Sequence, residues 1–252
     1  MTLSTTVMGS NKAPIICTAQ ITDVQRLGLD VDRVLLKPDQ PLDWQAGQYL
    51  EIAVGESVWA PFSIACAPGA EQLELHIQYL PGRETSEAIA ALLQPGQTLR
   101  LRVASGDCFL AGTDRPLLLV AAGTGFAQMK AIVEAAWQQG WRSPITLYWA
   151  ARNAAGLYAL SQAQAWQQEH PGFTLIPMVE LADARWQGRV GRITEVLAAD
   201  FIGSDVAARL EGFISGSPAM VYAVEDLLMS RGMAPKALHS DVHAYAPRDY
   251  LS

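Results

Sequence analysis

Gly123-Thr124-Gly125 stands between an apolar segment and a segment of helical character, in the stretch LLLVAAGTGFAQMKAI that spans residues 117–132. A strand, a glycine-rich turn and a helix in this order are typical of nucleotide-binding loops, because glycine lets a ligand approach the backbone closely. The stretch lacks the third glycine of the fingerprint GxGxxG, and Ala127 or Gln128 occupies its place. The turn therefore offers close backbone approach without the usual pyrophosphate-binding pattern.

Three further groups of residues follow predicted strands in the same half of the chain. Arg152 offers a guanidinium fork suited to a phosphate, Glu180 follows the next strand, and the run SGSP occupies 215–218 with Pro218 suited to the first position of a helix. Ligands bind beyond the carboxyl ends of parallel strands, so these groups are expected at one edge of one sheet. Each group alone is compatible with an ordinary turn, but together they favour a ligand site.

The predicted elements divide the chain into two parts. Residues 14–112 contain short β-rich segments separated by turn residues, with one helix at 84–93, and this pattern predicts a barrel or sandwich. Residues 113–252 alternate strands and helices, which predicts a parallel sheet covered by helices on both faces. Residues 1–13 are predicted to form a flexible tail. The parallel strands are predicted at 117–122, 145–151, 173–179, 212–215 and 238–245.

Composition excludes several classes of function. Half of the 252 residues are apolar, enough for a substantial core. The net charge of -7 argues against a nucleic-acid surface, which needs a basic stripe. No apolar run is long enough to span a bilayer, and residues 1–16 do not resemble a secretory signal. The protein is therefore predicted to be cytoplasmic, with no membrane span.

Cysteines and histidines give no sign of a metal centre. Cys17, Cys66 and Cys108 are far apart, and the chain has no CxxC, so neither a disulfide framework nor an iron–sulfur cluster is predicted. His239 and His243 are four residues apart, but they belong to a segment predicted as a strand, and no HExxH occurs. The sequence predicts no metal site.

Six segments follow one another along the chain: AGQYLEIAV (46–54), PFSIACAP (61–68), LELHI (73–77), VAAGTGFA (120–127), ITLYWAAR (145–152) and GSPAMV (216–221). This ordered set resembles the ferredoxin-NADP reductase superfamily, and most closely its bacterial NAD(P)H:flavin reductases. The resemblance covers residues 17–245 and implies an N-terminal Greek-key antiparallel flavin-binding barrel, followed by a C-terminal five-stranded parallel-sheet domain that binds NAD(P).

The flavin motif of this family is an arginine, any residue, an aromatic residue and a serine. The resemblance implies that Phe62 packs against the flavin and that Ser63 reaches flavin N5, roles that suit an aromatic wall and a hydrogen-bond donor. Ala60 stands where the family has its arginine. The loss of that charged contact is expected to weaken flavin binding.

The segment LPGRETSEAI at 80–89 carries the opposite signal. In family members that retain FAD, a proline–glycine turn and a helix that opens with Ser or Thr bind the flavin pyrophosphate. The resemblance therefore implies this role for Pro81, Gly82, Thr85 and Ser86, and a helix N-terminus is suited to it.

The resemblance also assigns the Gly-Thr-Gly turn. It places Thr124 beside both flavin and nicotinamide at the seam between the domains, with Gly125 leaving room for the nicotinamide ring and Phe126 opening the helix. The family usually has a cysteine before a glycine near nicotinamide C4, and this chain has Ser215-Gly216.

The implied reaction is hydride transfer from C4 of NADH or NADPH to N5 of FAD or FMN, which is either bound or a substrate. Ser63, Thr124 and Ser215 are the implied catalytic residues, acting by position alone. The implied cofactor-binding residues are Pro61, Phe62, Ser63, Ile77, Tyr79, Gly82, Thr85, Ser86, Gly123, Thr124, Gly125, Phe126, Arg152, Gly216 and Pro218.

Two alternatives remain open. One is an FAD-bound reductase that passes electrons to a separate protein acceptor. The other is a degenerate family member that binds nucleotide without catalysis, which the substitutions at Ala60 and Ser215 favour.

Overall fold

The computed structural model describes residues 14–112, 114–201 and 207–248, and the predicted tail 1–13 lies outside them. In the first part an antiparallel sheet has the strand order β4-β3-β6-β1-β2-β5, a Greek-key arrangement. The edge strands β4 and β5 lie close together: just after β4, the Ala65 N–H donates to the Glu74 carbonyl of β5 at 2.7 Å. Helix α1 (Glu84–Leu92) connects β5 to β6. The strands are β1 (Ile15–Arg26), β2 (Val31–Pro38), β3 (Tyr49–Ala53), β4 (Trp59–Ser63), β5 (Leu73–Gln78) and β6 (Thr98–Ser105).

A parallel sheet of strand order β10-β9-β8-β7-β11-β12 forms the second part. Helices α2 and α3 pack on one face of it and α4 and α5 on the other, each face with its own apolar core. The strands are β7 (Leu117–Ala122), β8 (Ile145–Ala151), β9 (Phe173–Val179), β10 (Arg189–Val190), β11 (Glu211–Ser215) and β12 (Leu238–His239). The helices are α2 (Phe126–Gln138), α3 (Leu160–Glu169), α4 (Ile193–Asp200), α5 (Pro218–Ser230) and α6 (Val242–Tyr245).

The predicted fold class is confirmed, and the differences are local. Strand β4 ends at Ser63, and the apolar residues that follow it are buried in the barrel. The two-residue strand β10 adds a sixth member to the predicted five-stranded sheet. The prediction of a final strand at 238–245 was wrong beyond His239, and His243 lies in α6. The Ser240 hydroxyl accepts the Val242 N–H there, a local bond that favours a turn.

Helix α2 connects the two parts through polar side chains that are buried. Lys130 Nζ donates to the Ala65 carbonyl of the barrel at 2.9 Å and lies 3.5 Å from the Glu74 carboxylate. Glu74 in turn lies 2.9 Å from His76 Nε2, and His76 Nδ1 lies 2.9 Å from the Tyr158 hydroxyl. Because a carboxylate only accepts, Nε2 of a neutral His76 donates to Glu74, and its Nδ1 then accepts from the Tyr158 hydroxyl. We call this set of side chains the interdomain network.

Gln128 makes a second connection between the parts. Its Nε2 donates to the Gly47 carbonyl of the barrel at 2.6 Å and to the Asp241 carboxyl group at 2.7 Å. Gln128 is 1% exposed. Gln128 stands where the GxGxxG fingerprint would have its third glycine. A long polar side chain is needed at this position to reach the barrel, which explains why glycine is absent.

The glycines of the turn between β7 and α2 serve two different purposes. Gly123 has φ +53°, in the left-handed region that favours glycine, and a Cβ there would meet nothing within 4 Å. Gly125 has an ordinary helical φ of -56°, but a Cβ there would clash with the backbone carbonyl of Ser215 at the end of β11. The missing side chain of Gly125 therefore lets α2 approach β11, a packing role in addition to the implied one of leaving room for a nicotinamide ring.

Gly125→Ala is expected to destabilise the protein by about 1–3 kcal/mol, because β11 and α2 must separate to admit the methyl group. Gly172→Ala is the matched control, since a Cβ there meets nothing within 4 Å. Thermal and denaturant unfolding of both variants measure the effect. Equal stability of Gly125→Ala and the parent would contradict the packing role.

The pKa of Glu74 reflects the interdomain network. Burial alone would raise it, but the hydrogen bond from His76 and the charges of Lys130 and Arg33 lower it from 4.5 to about 2. A carboxyl group with a lowered pKa stabilises the folded state above its unfolded pKa. That stabilisation is lost as the pH falls from about 4.5 towards 2.

Glu74→Gln is expected to lower the free energy of unfolding by about 3 kcal/mol at pH 7, because it removes the negative charge that His76, Lys130 and Arg33 stabilise. The difference from the parent should shrink as the pH falls towards 3. Denaturant unfolding at several pH values measures it. Glu51→Gln is the control and should cost less than about 1 kcal/mol, because Glu51, the partner of Arg102, is 24% exposed whereas Glu74 is 10% exposed. A pH-independent loss in Glu74→Gln would contradict the electrostatic explanation.

Candidate functional site

Two adjoining clefts open where the carboxyl ends of the parallel strands face the barrel. The first, which we call the seam cleft, has a volume of about 500 Å³. Barrel residues 61–63, His76 and Gln78 form one of its walls, and Gly123–Gly125 and residues 215–217 form the other. Both parts of the chain therefore contribute to it.

The second cleft, which we call the sheet-edge cleft, has a volume of about 650 Å³. It continues from the seam cleft along the ends of β8 and β9, where Arg152, Asn153 and Glu180 line it. Both clefts are of the size usual for small-molecule sites. They share a wall made by Gln78, Ala122, Gly123, Thr124 and Ser217. Ligands in the two clefts would meet at this wall.

Most of the residues implied by the sequence lie in these clefts. Arg152 lines the sheet-edge cleft, and Gly123 and Thr124 line both. The seam cleft brings together the three implied catalytic residues with several implied binding residues. These are Pro61, Phe62, Ser63, Gly123, Thr124, Gly125, Ser215 and Gly216.

Three implied binding residues have side chains placed elsewhere. Ile77 is 4% exposed and packs in the barrel core, because side chains alternate along β5 and it is His76 and Gln78 that face the cleft. Tyr79 is half-buried and does not line either cleft. Phe126 is fully buried and stacks on Trp149 with ring centroids 4.1 Å apart, so its side chain supports the turn and cannot touch a ligand.

The turn at 80–86 differs from the implied phosphate site. The N-cap of α1 is Arg83, without a side-chain cap, so Thr85 and Ser86 do not cap the helix. Ser86 Oγ accepts the Leu80 N–H at 2.8 Å, and the Gly82 N–H donates to the Glu87 carboxylate at 3.1 Å. A carboxylate of the chain itself thus occupies a backbone donor that a phosphate would need.

Two other implied features are placed clearly. Pro218 is at the start of α5, as predicted, although it does not line either cleft. Ala60 is 4% exposed within the barrel wall. The guanidinium of Arg102 stacks over the Trp59 ring at 3.9 Å, and Arg100 lies 5.3 Å from the same ring. Neither arginine lines the seam cleft, so neither replaces the missing motif arginine there.

Sequence reasoning missed residues in both clefts. His76, Gln78 and Leu80 in the seam cleft could have been found from the alternation along β5, which puts 76 and 78 on the face opposite Leu75 and Ile77. The sheet-edge cleft also includes residues from the barrel, such as Leu29 and Asp30. No local sequence pattern predicts a role for these two residues, because they approach β8 only when the two parts of the chain fold together.

Other kinds of site find no support in the described parts of the chain. Within 14–112, 114–201 and 207–248, no cluster of three or more His, Cys, Asp or Glu side chains could hold a metal ion. No helix in those ranges is both long enough and apolar enough to cross a membrane.

Comparison with known proteins agrees with the geometry. Residues 119–226 match the family model described as the oxidoreductase NAD-binding domain. The chain is 30% identical to the xylene/toluene monooxygenase electron transfer component XylA of Pseudomonas putida over 241 residues. The aligned residues are 94% of this chain and 68% of that protein. A cytochrome P450 reductase from Amycolatopsis, GcoB, superposes with a TM-score of 0.82 at 29% identity, over 91% of this chain and 70% of that one.

An NAD(P)H-flavin reductase of Aliivibrio fischeri matches almost from end to end. It is 31% identical over 240 residues, which are 92% of this chain and 99% of the relative. With more than nine tenths of both proteins aligned at this identity, this chain belongs to the NAD(P)H-flavin reductase family.

Proposed function

We propose that the protein is an NAD(P)H-dependent flavin reductase, with the flavin ring in the seam cleft and the nicotinamide nucleotide in the sheet-edge cleft. The observation that carries this proposal is the wall that the clefts share at Gly123 and Thr124. Hydride transfer needs two flat rings in contact, and two clefts that adjoin at a glycine-containing turn allow that contact. In this proposal residues 14–112 hold the flavin and residues 113–252 hold the nucleotide.

The seam cleft fits an isoalloxazine ring. Phe62 offers an aromatic wall, and the Ser63, Thr124, Ser215 and Ser217 hydroxyls surround the space. None of the described residues that line this cleft carries a carboxylate. A flat, largely apolar ring with carbonyl oxygens and ring nitrogens along its edges suits such a set of donors.

The sheet-edge cleft fits a nucleotide. Arg152 supplies a cation for a phosphate, and Glu180 supplies an acceptor for ribose hydroxyls at the end of the neighbouring strand. A carboxylate in this position also opposes an additional phosphate on the ribose. We therefore propose that NADH is preferred over NADPH.

A bound flavin supplies the hydride acceptor, and the protein's own residues contribute position. The Ser63 and Ser215 hydroxyls approach the seam cleft from its two walls, and Thr124 lies where the clefts meet. None of these hydroxyls has to gain or lose a proton. Rings in contact leave no room for water between them, and the interdomain network fixes the distance between the walls of the seam cleft.

We further propose that flavin is released as a product. Ala60 removes the arginine of the motif, and the Glu87 carboxylate occupies the Gly82 N–H. Both features weaken retention of a phosphate-bearing flavin. A protein acceptor is the second candidate, because the relative XylA is an electron transfer component. The free, buried cysteines support a reducing compartment, and we propose the cytoplasm.

A turnover assay that crosses NADH and NADPH with riboflavin, FMN and FAD tests the function. The expected result is a colourless purified protein that oxidises NADH only when flavin is added. A protein that stays yellow through purification would favour the FAD-bound alternative. Absence of NADH and NADPH oxidation with all three flavins would overturn the proposal.

Glu87→Ala is expected to tighten FMN and FAD binding about two- to fivefold and to leave riboflavin binding unchanged, because it frees the Gly82 N–H and removes a charge near the α1 N-terminus. Fluorescence quenching measures the three affinities. Glu84→Ala is the matched control, since Glu84 is in the same helical turn but makes no bond to Gly82. Equal tightening in both variants would show a general charge effect in place of a freed donor.

Arg152→Ala is expected to raise KM for NADH about tenfold or more and to leave kcat within about twofold, because the charge-assisted contact is the same in the ground and transition states. Steady-state kinetics with saturating flavin measure both constants. Arg185→Ala, whose side chain is 93% exposed, is the control and should match the parent. A fall in kcat at unchanged KM would contradict the phosphate-binding role.

A further inference from the structure

The indole of Trp149 holds the turn that separates the two clefts. Trp149 is on β8, is fully buried, and its Nε1–H donates to the Gly123 carbonyl at 3.0 Å. Its ring stacks on Phe126, the first residue of α2, with an interplanar angle of 17°. Trp149 therefore contacts the turn twice, once by packing and once by a directed hydrogen bond.

The direction of this bond determines which way the next amide points. In a trans peptide the carbonyl and the N–H of the following residue point in opposite directions. The Gly123 carbonyl points into the core towards Trp149. The Thr124 N–H therefore points away from the core, on the side where Gly123 and Thr124 form the shared wall of the clefts.

The place of the Thr124 amide in the turn leaves its N–H without a partner in the helix, and the glycine before it makes its orientation variable. Gly123–Gly125 is a 3-10 turn that leads directly into α2, and the N–H groups in the first turn of a helix have no partner within it. Glycine also allows the peptide plane that follows it to rotate, because it has few steric restrictions. The Phe126 N–H holds the Gly123 carbonyl along the turn, and the Trp149 indole gives the same carbonyl a second, side-chain donor that limits this rotation.

We propose that Trp149 is a positioning residue for hydride transfer: its indole N–H fixes the Gly123–Thr124 peptide so that the Thr124 N–H faces the contact between flavin and nicotinamide. The inference rests on the proposed function. Trp149 itself touches neither ligand, since its side chain is in the core beneath the turn. Its role is separate from its packing, because phenylalanine would keep an aromatic stack but lacks the donor.

Trp149→Phe tests the inference, with Trp141→Phe as the matched control. Trp141 Nε1 donates to the Arg115 carbonyl at the same distance of 3.0 Å, and Trp141 lines neither cleft. Stopped-flow flavin reduction gives the hydride-transfer rate, fluorescence quenching gives the flavin affinity, and the long-wavelength absorbance of the mixed complex reports ring stacking. Backbone amide NMR shows whether the Thr124 N–H responds to ligand.

In Trp149→Phe we expect hydride transfer to slow about ten- to a hundredfold, with flavin affinity within about twofold of the parent. The long-wavelength absorbance, which arises from charge transfer between the stacked rings, should weaken. The Thr124 amide resonance should lose its response to ligand. Trp141→Phe should keep the parental rate and absorbance, even if its unfolding temperature falls as far as that of Trp149→Phe. A parental rate and absorbance in Trp149→Phe would overturn the inference, as would equal losses in both variants.

Two measures keep this test decisive. If Trp149→Phe does not fold, benzothienylalanine at position 149 preserves the size of the ring and replaces the N–H by sulfur. If the parent binds flavin and nucleotide but transfers no hydride, the proposed function fails, and the amide response of Thr124 still decides the orientation. An unresponsive Thr124 amide in the parent would overturn the inference.

Discussion

The position of α2 against the barrel is the constraint on which the site depends. Lys130 and Gln128 reach from this helix to backbone carbonyls of the barrel, and both side chains are almost fully buried. Unpaired, such groups would cost several kcal/mol, so the two domains are held in the one arrangement that satisfies them. The turn that separates the clefts begins the same helix, so its distance from Phe62 and Ser63 is set by these contacts.

Local sequence patterns predicted the elements well where a single strong signal determined the structure. The long apolar runs of β7, β8 and β9 have the predicted bounds, because a strand buried on both faces has no competing pattern. The segment 238–245 was misjudged because its alternation resembled a strand, whereas the Ser240 hydroxyl and the preceding loop favour a turn. Short segments of this kind depend on contacts that are distant in sequence.

The sequence predicts only part of the site, because some of its residues depend on contacts that are distant in sequence. Residues at the ends of strands could be placed from the rule for parallel sheets, and Arg152 and Ser215 lie where that rule puts them. Whether a side chain faces a cleft or a core depends on register. Side chains alternate along β5, so Ile77 faces the core whereas its neighbour His76 faces the cleft, and Phe126 is buried although it lies beside the turn. The occupation of the Gly82 N–H by Glu87 could not be inferred from spacing, because the motif looks intact in the sequence.

The two glycines of the turn also limit which sequences can evolve there. Gly123 is constrained by its torsion angle alone, with open space beside it, so asparagine, which tolerates the left-handed region, is an accessible replacement. Gly125 is constrained by the Ser215 backbone, which cannot withdraw without opening the sheet. Substitution at 125 would therefore require a compensating displacement of β11. Drift in this turn should be asymmetric, with the first glycine open to replacement by asparagine and the second fixed by its neighbour.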